Sequence, residues 1–149
     1  MKTIQDLIDN LNQDLQREYQ HLHFYIIAAT NVVGLHREEI GEFLLEQAKE
    51  EMAHIEEFKR VLHGLCERRN LNKTIPTKIA EFKNYISCPV EILREALRME
   101  DEVVKNYTQR IEDACSLQEN GQEDKIDGKY LEIFLEDQIQ DSRKDADNI

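Results

Sequence analysis

The stretch Ala48-Lys49-Glu50-Glu51-Met52-Ala53-His54-Ile55-Glu56-Glu57-Phe58 decides the fold. Ala48, Ile55 and Phe58, continued back to Leu44 and on to Leu62, recur at the spacing of one face of an α-helix. Glu51 interrupts that apolar face. His54 follows at i+3, so both polar groups leave the helix on the same side. An apolar helix face broken once by a carboxylate and an imidazole belongs inside a helical assembly that has a use for them.

The rest of the chain repeats the pattern. Punctuation is sparse: Gly34, the segment Asn70 to Pro89, and Glu119 to Gly128 are the plausible breaks. Between them the spacing predicts four helices, over 3–33, 37–69, 89–117 and 127–145. Thr3 with Asp6 resembles a capping box, and Ser87 with Pro89 marks the third start. The first and last breaks suit tight antiparallel hairpins. The middle one, Leu71 to Ser87, could span roughly 60 Å when extended, against roughly 50 Å for the longest helices. The expectation is therefore all-α: a four-helix bundle of two antiparallel hairpins joined by a long crossover, with residues 1–149 as a single domain.

Composition narrows the function. The 149 residues hold 31 acids and 19 bases, a formal charge of −12. With no basic cluster, that surface repels phosphate backbones and excludes nucleic-acid binding. Only 5 Gly and 2 Pro disfavour a turn-rich β fold. No apolar run is long enough for a membrane span, and the N-terminus lacks a signal-peptide core. Cys66, Cys88 and Cys115 contain no Cys-x-x-Cys pair, which argues against a zinc ribbon or rubredoxin-type iron site. A reducing, cytoplasmic setting is expected.

Each helix has an inward stripe with one polar interruption. The first reads Leu11, Leu15, Glu18, Leu22, Tyr25, Ala29; the second Leu44, Ala48, Glu51, Ile55, Phe58, Leu62. The third reads Leu93, Leu97, Glu100, Val104, Tyr107, Ile111; the fourth Leu131, Leu135, Gln138, Asp141 and Ser142. The midpoint of Glu18 and Glu51 falls at Gly34, within one residue, and that of Glu100 and Gln138 falls at Glu119. Both pairs are thus level across their turns, and packing the hairpins together could gather Glu18, Glu51, His54, Glu100 and Gln138 in one layer. Three buried carboxylates need cations, and no Lys or Arg lies on the stripes at that height. Oxygen ligands with one imidazole suit iron or manganese better than zinc. Glu51 is placed to bridge two metals.

These residues resemble the ferritin superfamily over nearly the whole chain. Leu11 to Tyr19 looks like the ferritin first helix, and Glu50-Glu51-Met52-Ala53-His54 matches the second-helix motif. Leu97 to Glu100 looks like the third-helix ligand segment. Phe134 to Ile139 looks like the fourth helix of ferritins, which carry Gln where bacterioferritins and rubrerythrins have the Glu of a second Glu-x-x-His. The likeness is closer to bacterial non-haem ferritin. It implies a dinuclear ferroxidase centre: one iron on Glu18, Glu51 and His54, the second on Glu51 and Glu100 with Gln138 nearby, and Tyr25 beside them. It also implies a third iron position at Glu50, Asp137 and Asp141. The reaction implied is oxidation of Fe(II) by dioxygen or hydrogen peroxide and storage as ferric mineral; the alternative is a diiron oxidase or peroxidase that stores none. Met52 stands where bacterioferritins ligate haem, but Met on a helix is ordinarily packing, and haem is not expected. Only 11 residues follow Gln138, so no fifth helix is expected. A homo-oligomer is expected, with a 24-subunit cage left open.

Overall fold

Thr3 starts the first helix by the expected reciprocal cap: its side chain accepts from the Asp6 N–H while Asp6 accepts from the Thr3 N–H. The computed structural model describes residues 3–72 and 87–149. Within them the helices are α1 (Ile4–Asn31), α2 (Arg37–Arg69), α3 (Pro89–Leu117) and α4 (Gln122–Asn148). Gly34 supplies the left-handed backbone of the first turn, at φ 110°. Asn70 ends α2 in the same region of backbone space, at φ 53°. Pro89 occupies the first turn of α3, where a missing N–H costs nothing.

Helix α4 differs from expectation, starting at Gln122 rather than 127 and running past 145 to Asn148. The segment Glu123-Asp124-Lys125 reads as a polar loop, but Arg69 of α2 holds it. Its guanidinium lies 2.7 Å from Asp124 and 2.6 Å from Asp127, with Glu123 at 3.4 Å. The residues beyond Gln138 continue this same helix.

Side-chain bonds give the helix directions. Tyr25 bonds Glu100, Tyr107 bonds Glu18, and Arg110 pairs with Asp14. Numbering therefore rises along α1 as it falls along α3. The pairs His54–Asp141 and Arg69–Asp127 make α2 and α4 antiparallel in the same way. With α1 and α2 a short hairpin, α3 runs parallel to α2. The expected crossover falls largely on residues 73–86, outside the described residues.

Two apolar clusters fill the interior. One contains Leu11, Leu15, Ile55, Phe58, Leu131 and Leu135; the other contains Phe24, Tyr25, Leu44, Ala48, Ile92 and Met99. Glu18, Glu51, Glu100 and Gln138 are buried as well. The stripes of α1, α2 and α4 run largely as expected; on α3, Glu100 and Tyr107 are buried as expected but the apolar row beside them is shifted by one residue. Ile92, Ala96, Met99 and Val103 face inward, while Leu97 is 40% exposed and Leu93, Val104 and Ile111 are only partly buried. The true row contains Ala96 and Ala114, small residues fully enclosed in the core, which apolar counting undervalues beside leucines. Among the described residues no helix is long and apolar enough to cross a membrane.

Candidate metal centre

Glu18 on α1 and Glu51 on α2 meet in the interior with a third group, His21 of α1. One ligating atom from each lies within 4.8 Å of the other two, and all three residues are buried. His54, one turn along α2 from Glu51, is set at the edge. Its Nδ1 is 3.9 Å from Glu51 Oε2, and its Nε2 is 3.5 Å from Asp141 Oδ2 on α4. An imidazole facing a ligand on one side and a carboxylate on the other is the arrangement that fixes a metal-binding histidine.

Two tyrosines hold the carboxylates from α1 and α3 reciprocally. Tyr25 of α1 donates to Glu100 Oε1 of α3 at 2.8 Å, and Tyr107 of α3 donates to Glu18 Oε1 of α1. Each tyrosine stands seven residues after the glutamate of its own helix, so antiparallel packing brings each to the other's glutamate. Tyr25 therefore lies against Glu100. Tyr107, which reads in the sequence as a core aromatic, has the matching part.

Burial dominates the electrostatics. It pushes the Glu18 carboxyl up to about 8, against the Tyr107 hydrogen bond and helped by the charges of Glu100 and Asp14. It raises Glu100 to about 7, against hydrogen bonds from Tyr25 and Ser142. It lowers His21 to about 4, leaving a neutral imidazole. Both tyrosine hydroxyls are held above their usual range, by burial first and then by the carboxylates beside them. Among the described residues no Lys or Arg pairs with Glu18, Glu51 or Glu100. Three enclosed polar atoms, His21 Nδ1, Glu51 Oε1 and Gln138 Nε2, have no hydrogen-bond partner. The open lone pairs of His21 Nδ1 and Glu51 Oε1 among crowded carboxyls fit a cation, which would displace the protons; the Gln138 amide nitrogen is a donor and offers a cation no lone pair.

Gln138 is buried on α4 with its amide nitrogen unpartnered. Glu50, Asp137 and Asp141 do not gather as one group. Glu50 and Asp141 line a surface groove with His54, Glu57, Lys144 and Asp145, while Asp137 is exposed and not part of that lining. Asp145, absent from the sequence reading, stands there instead, its carboxyl raised to about 8 by burial and by Glu50. Met52 is exposed and lines an apolar groove on the α1–α2 face with Leu22, Ile26, Phe43 and Leu45.

His21 also escaped the sequence reading. Counting the α1 stripe from Glu18 selects Leu22, but Leu22 is only partly buried and His21 is enclosed. The overlooked signal is Glu18-x-x-His21, the same spacing as Glu51-x-x-His54.

A four-helix bundle with buried carboxylates and imidazoles converging from facing helices belongs to the class that binds metal ions in its interior. A family model for the ferritin-like domain matches residues 8–149, and the chain belongs to that family. It is 27% identical over 138 residues to a bacterial non-heme ferritin of Staphylococcus haemolyticus (strain JCSC1435), spanning 91% of this chain and 76% of that protein. It is similar to the crystal structure of a ferritin-like, diiron-carboxylate protein from Bacillus anthracis str. Ames. The TM-score is 0.73 at 26% identity, covering 96% of this chain and 91% of the other. A dodecameric thioferritin from Bacteroides fragilis shares the fold, with a TM-score of 0.57 at 19% identity over 93% and 82% of the two chains.

Proposed function

We propose that the chain is a ferritin that oxidises Fe(II) at a dinuclear ferroxidase centre and deposits the product as ferric mineral. The observation that carries this reading is the set of buried carboxylates without basic partners, with open lone pairs left between them. Glu18, Glu51 and His54 would hold one iron. Glu51 and Glu100 would hold the second, with Gln138 as a neutral neighbour. Glu50 and Asp141, on the groove outside His54, and Asp137, which lies off that groove, would handle iron entering or leaving.

The chemistry follows from charge. Carboxylates in a low-dielectric interior stabilise Fe(III) more than Fe(II), because the interaction grows with cation charge. That difference makes electron loss to dioxygen or hydrogen peroxide easier. Tyr25 and Tyr107 keep Glu100 and Glu18 aimed while the charge changes. Gln138 removes one negative charge from the second position, so that iron should be held less tightly and passed on. The apolar groove of Ile26, Leu45 and Met52 supports association with further copies of the chain, and the cysteines, all free, suit a cytoplasmic setting.

The test is aerobic Fe(II) addition to wild type and Glu51→Ala, following ferric–oxo absorbance and then iron retained after gel filtration. The expected outcome is rapid oxidation and retained iron in the wild type, with oxidation slowed at least about a hundredfold in the variant. No rapid oxidation by the wild type would overturn the reading. Oxidation with iron released to solution would identify a diiron oxidase without storage.

A further inference from the structure

His21 is the buried group that the ligand set above leaves unused. It is 93% enclosed by relative accessibility, and its Nδ1 has no hydrogen-bond partner. A histidine kept only for packing would ordinarily satisfy its ring nitrogens, because an enclosed unpaired nitrogen costs free energy. Here a ligating ring nitrogen instead lies within 4.8 Å of carboxylate oxygens from both Glu18 and Glu51, whose own Oε1 is unpartnered. Helical spacing places it there: Glu18 and His21 share one face of α1, as Glu51 and His54 share one face of α2. The two motifs come from adjacent antiparallel helices and meet at the carboxylates. His54 approaches Glu51 from the bundle edge, backed by Asp141, while His21 approaches from α1, on the side of Arg17 and of Glu95, Arg98 and Glu102 of α3.

We propose that His21 is a metal ligand, so that the centre has an imidazole from α1 as well as one from α2. This rests on the metal-centre reading above and changes its chemistry. A second nitrogen donor shifts preference from manganese and magnesium towards cations that favour imidazole, such as Fe(II), Co(II) and Zn(II). It also adds donor strength without adding negative charge to a site already crowded with carboxylates.

The test uses the full chain labelled with nitrogen-15 histidine and loaded anaerobically with cadmium-113, whose one-bond coupling to nitrogen reports a direct bond. Couplings at both His21 and His54 are expected, assigned through His21→Asn and His54→Asn. Coupling at His54 alone would overturn the role of His21 and leave the metal centre standing. Coupling at neither, with no Co(II) bound, would remove both. The number of coupled imidazoles is counted in the wild type, and His54→Asn at the bundle edge removes its own signal, so a His21→Asn variant that folds poorly does not obscure whether a second histidine is bound. His21→Asn, where it folds, should weaken Co(II) binding at least about tenfold and Mn(II) binding less; equal weakening of both would count against a nitrogen ligand.

Discussion

Asp14 and Glu18 lie one turn apart on α1, and both are buried, yet they are treated in opposite ways. Asp14 is met by two guanidiniums, with Arg17 Nη1 at 2.8 Å and Arg110 Nε at 2.8 Å. Even so, burial raises its carboxyl, and the two arginines pull it back. Glu18 has a tyrosine hydroxyl and the neighbouring charges of Glu100 and Asp14, and is driven much higher. The fold can thus place arginine against a buried carboxylate and does so next door. On the proposed reading, leaving Glu18 and Glu51 without one keeps their oxygens for a cation from outside. Asp14 is a structural carboxylate; on the reading proposed above, Glu18 costs the metal-free fold stability and serves a cation.

Arg110→Met should break the structural half. It leaves Asp14 enclosed with only Arg17, and the loss should be about 3 kcal/mol in denaturant unfolding, with metal affinity retained. Glu18→Gln should give the opposite sign. It removes a carboxyl that burial disfavours and keeps an acceptor for Tyr107, so the metal-free protein should gain about 2 kcal/mol while losing cation binding. A loss of stability in both variants would erase the distinction. The smallest effect is on pH. Between pH 6.5 and 8 the folded metal-free protein keeps protons on Glu18 and Glu100 that the unfolded chain has already lost. Stability therefore falls as pH rises through that window, by about 1 kcal/mol. His21, neutral in the folded state, offsets this only near the lower end of the window, where the unfolded imidazole is still partly protonated. A saturating divalent cation should reverse the slope, because binding displaces the protons. A flat profile in melting experiments would place these carboxyls in water.

Much of this was legible in the sequence. The stripes of α1, α2 and α4 and the position of Glu51 with His54 follow from period and spacing. The α3 stripe slipped by one residue because two adjacent rows are both apolar. Only packing selects the row carrying Ala96 and Ala114, the one that lets α3 approach its neighbours closely. His21 is hidden in the sequence because i+3 and i+4 continue a helical stripe equally well, and Leu22 is the apolar one of the two. The start of α4 was missed because Arg69, distant in sequence, holds its first turn.

The sequence by itself determined four helices, their breaks and the carboxylates that interrupt their apolar faces, because these depend on local period and on residues a few positions apart. Tertiary structure alone decided which tyrosine serves which glutamate, that Asp14 receives arginines while Glu18 does not, and that His21 joins Glu18 and Glu51. Those outcomes depend on how antiparallel helices align and rotate against one another. Relative rotation and height arise from packing whole faces together, and no single helix encodes them.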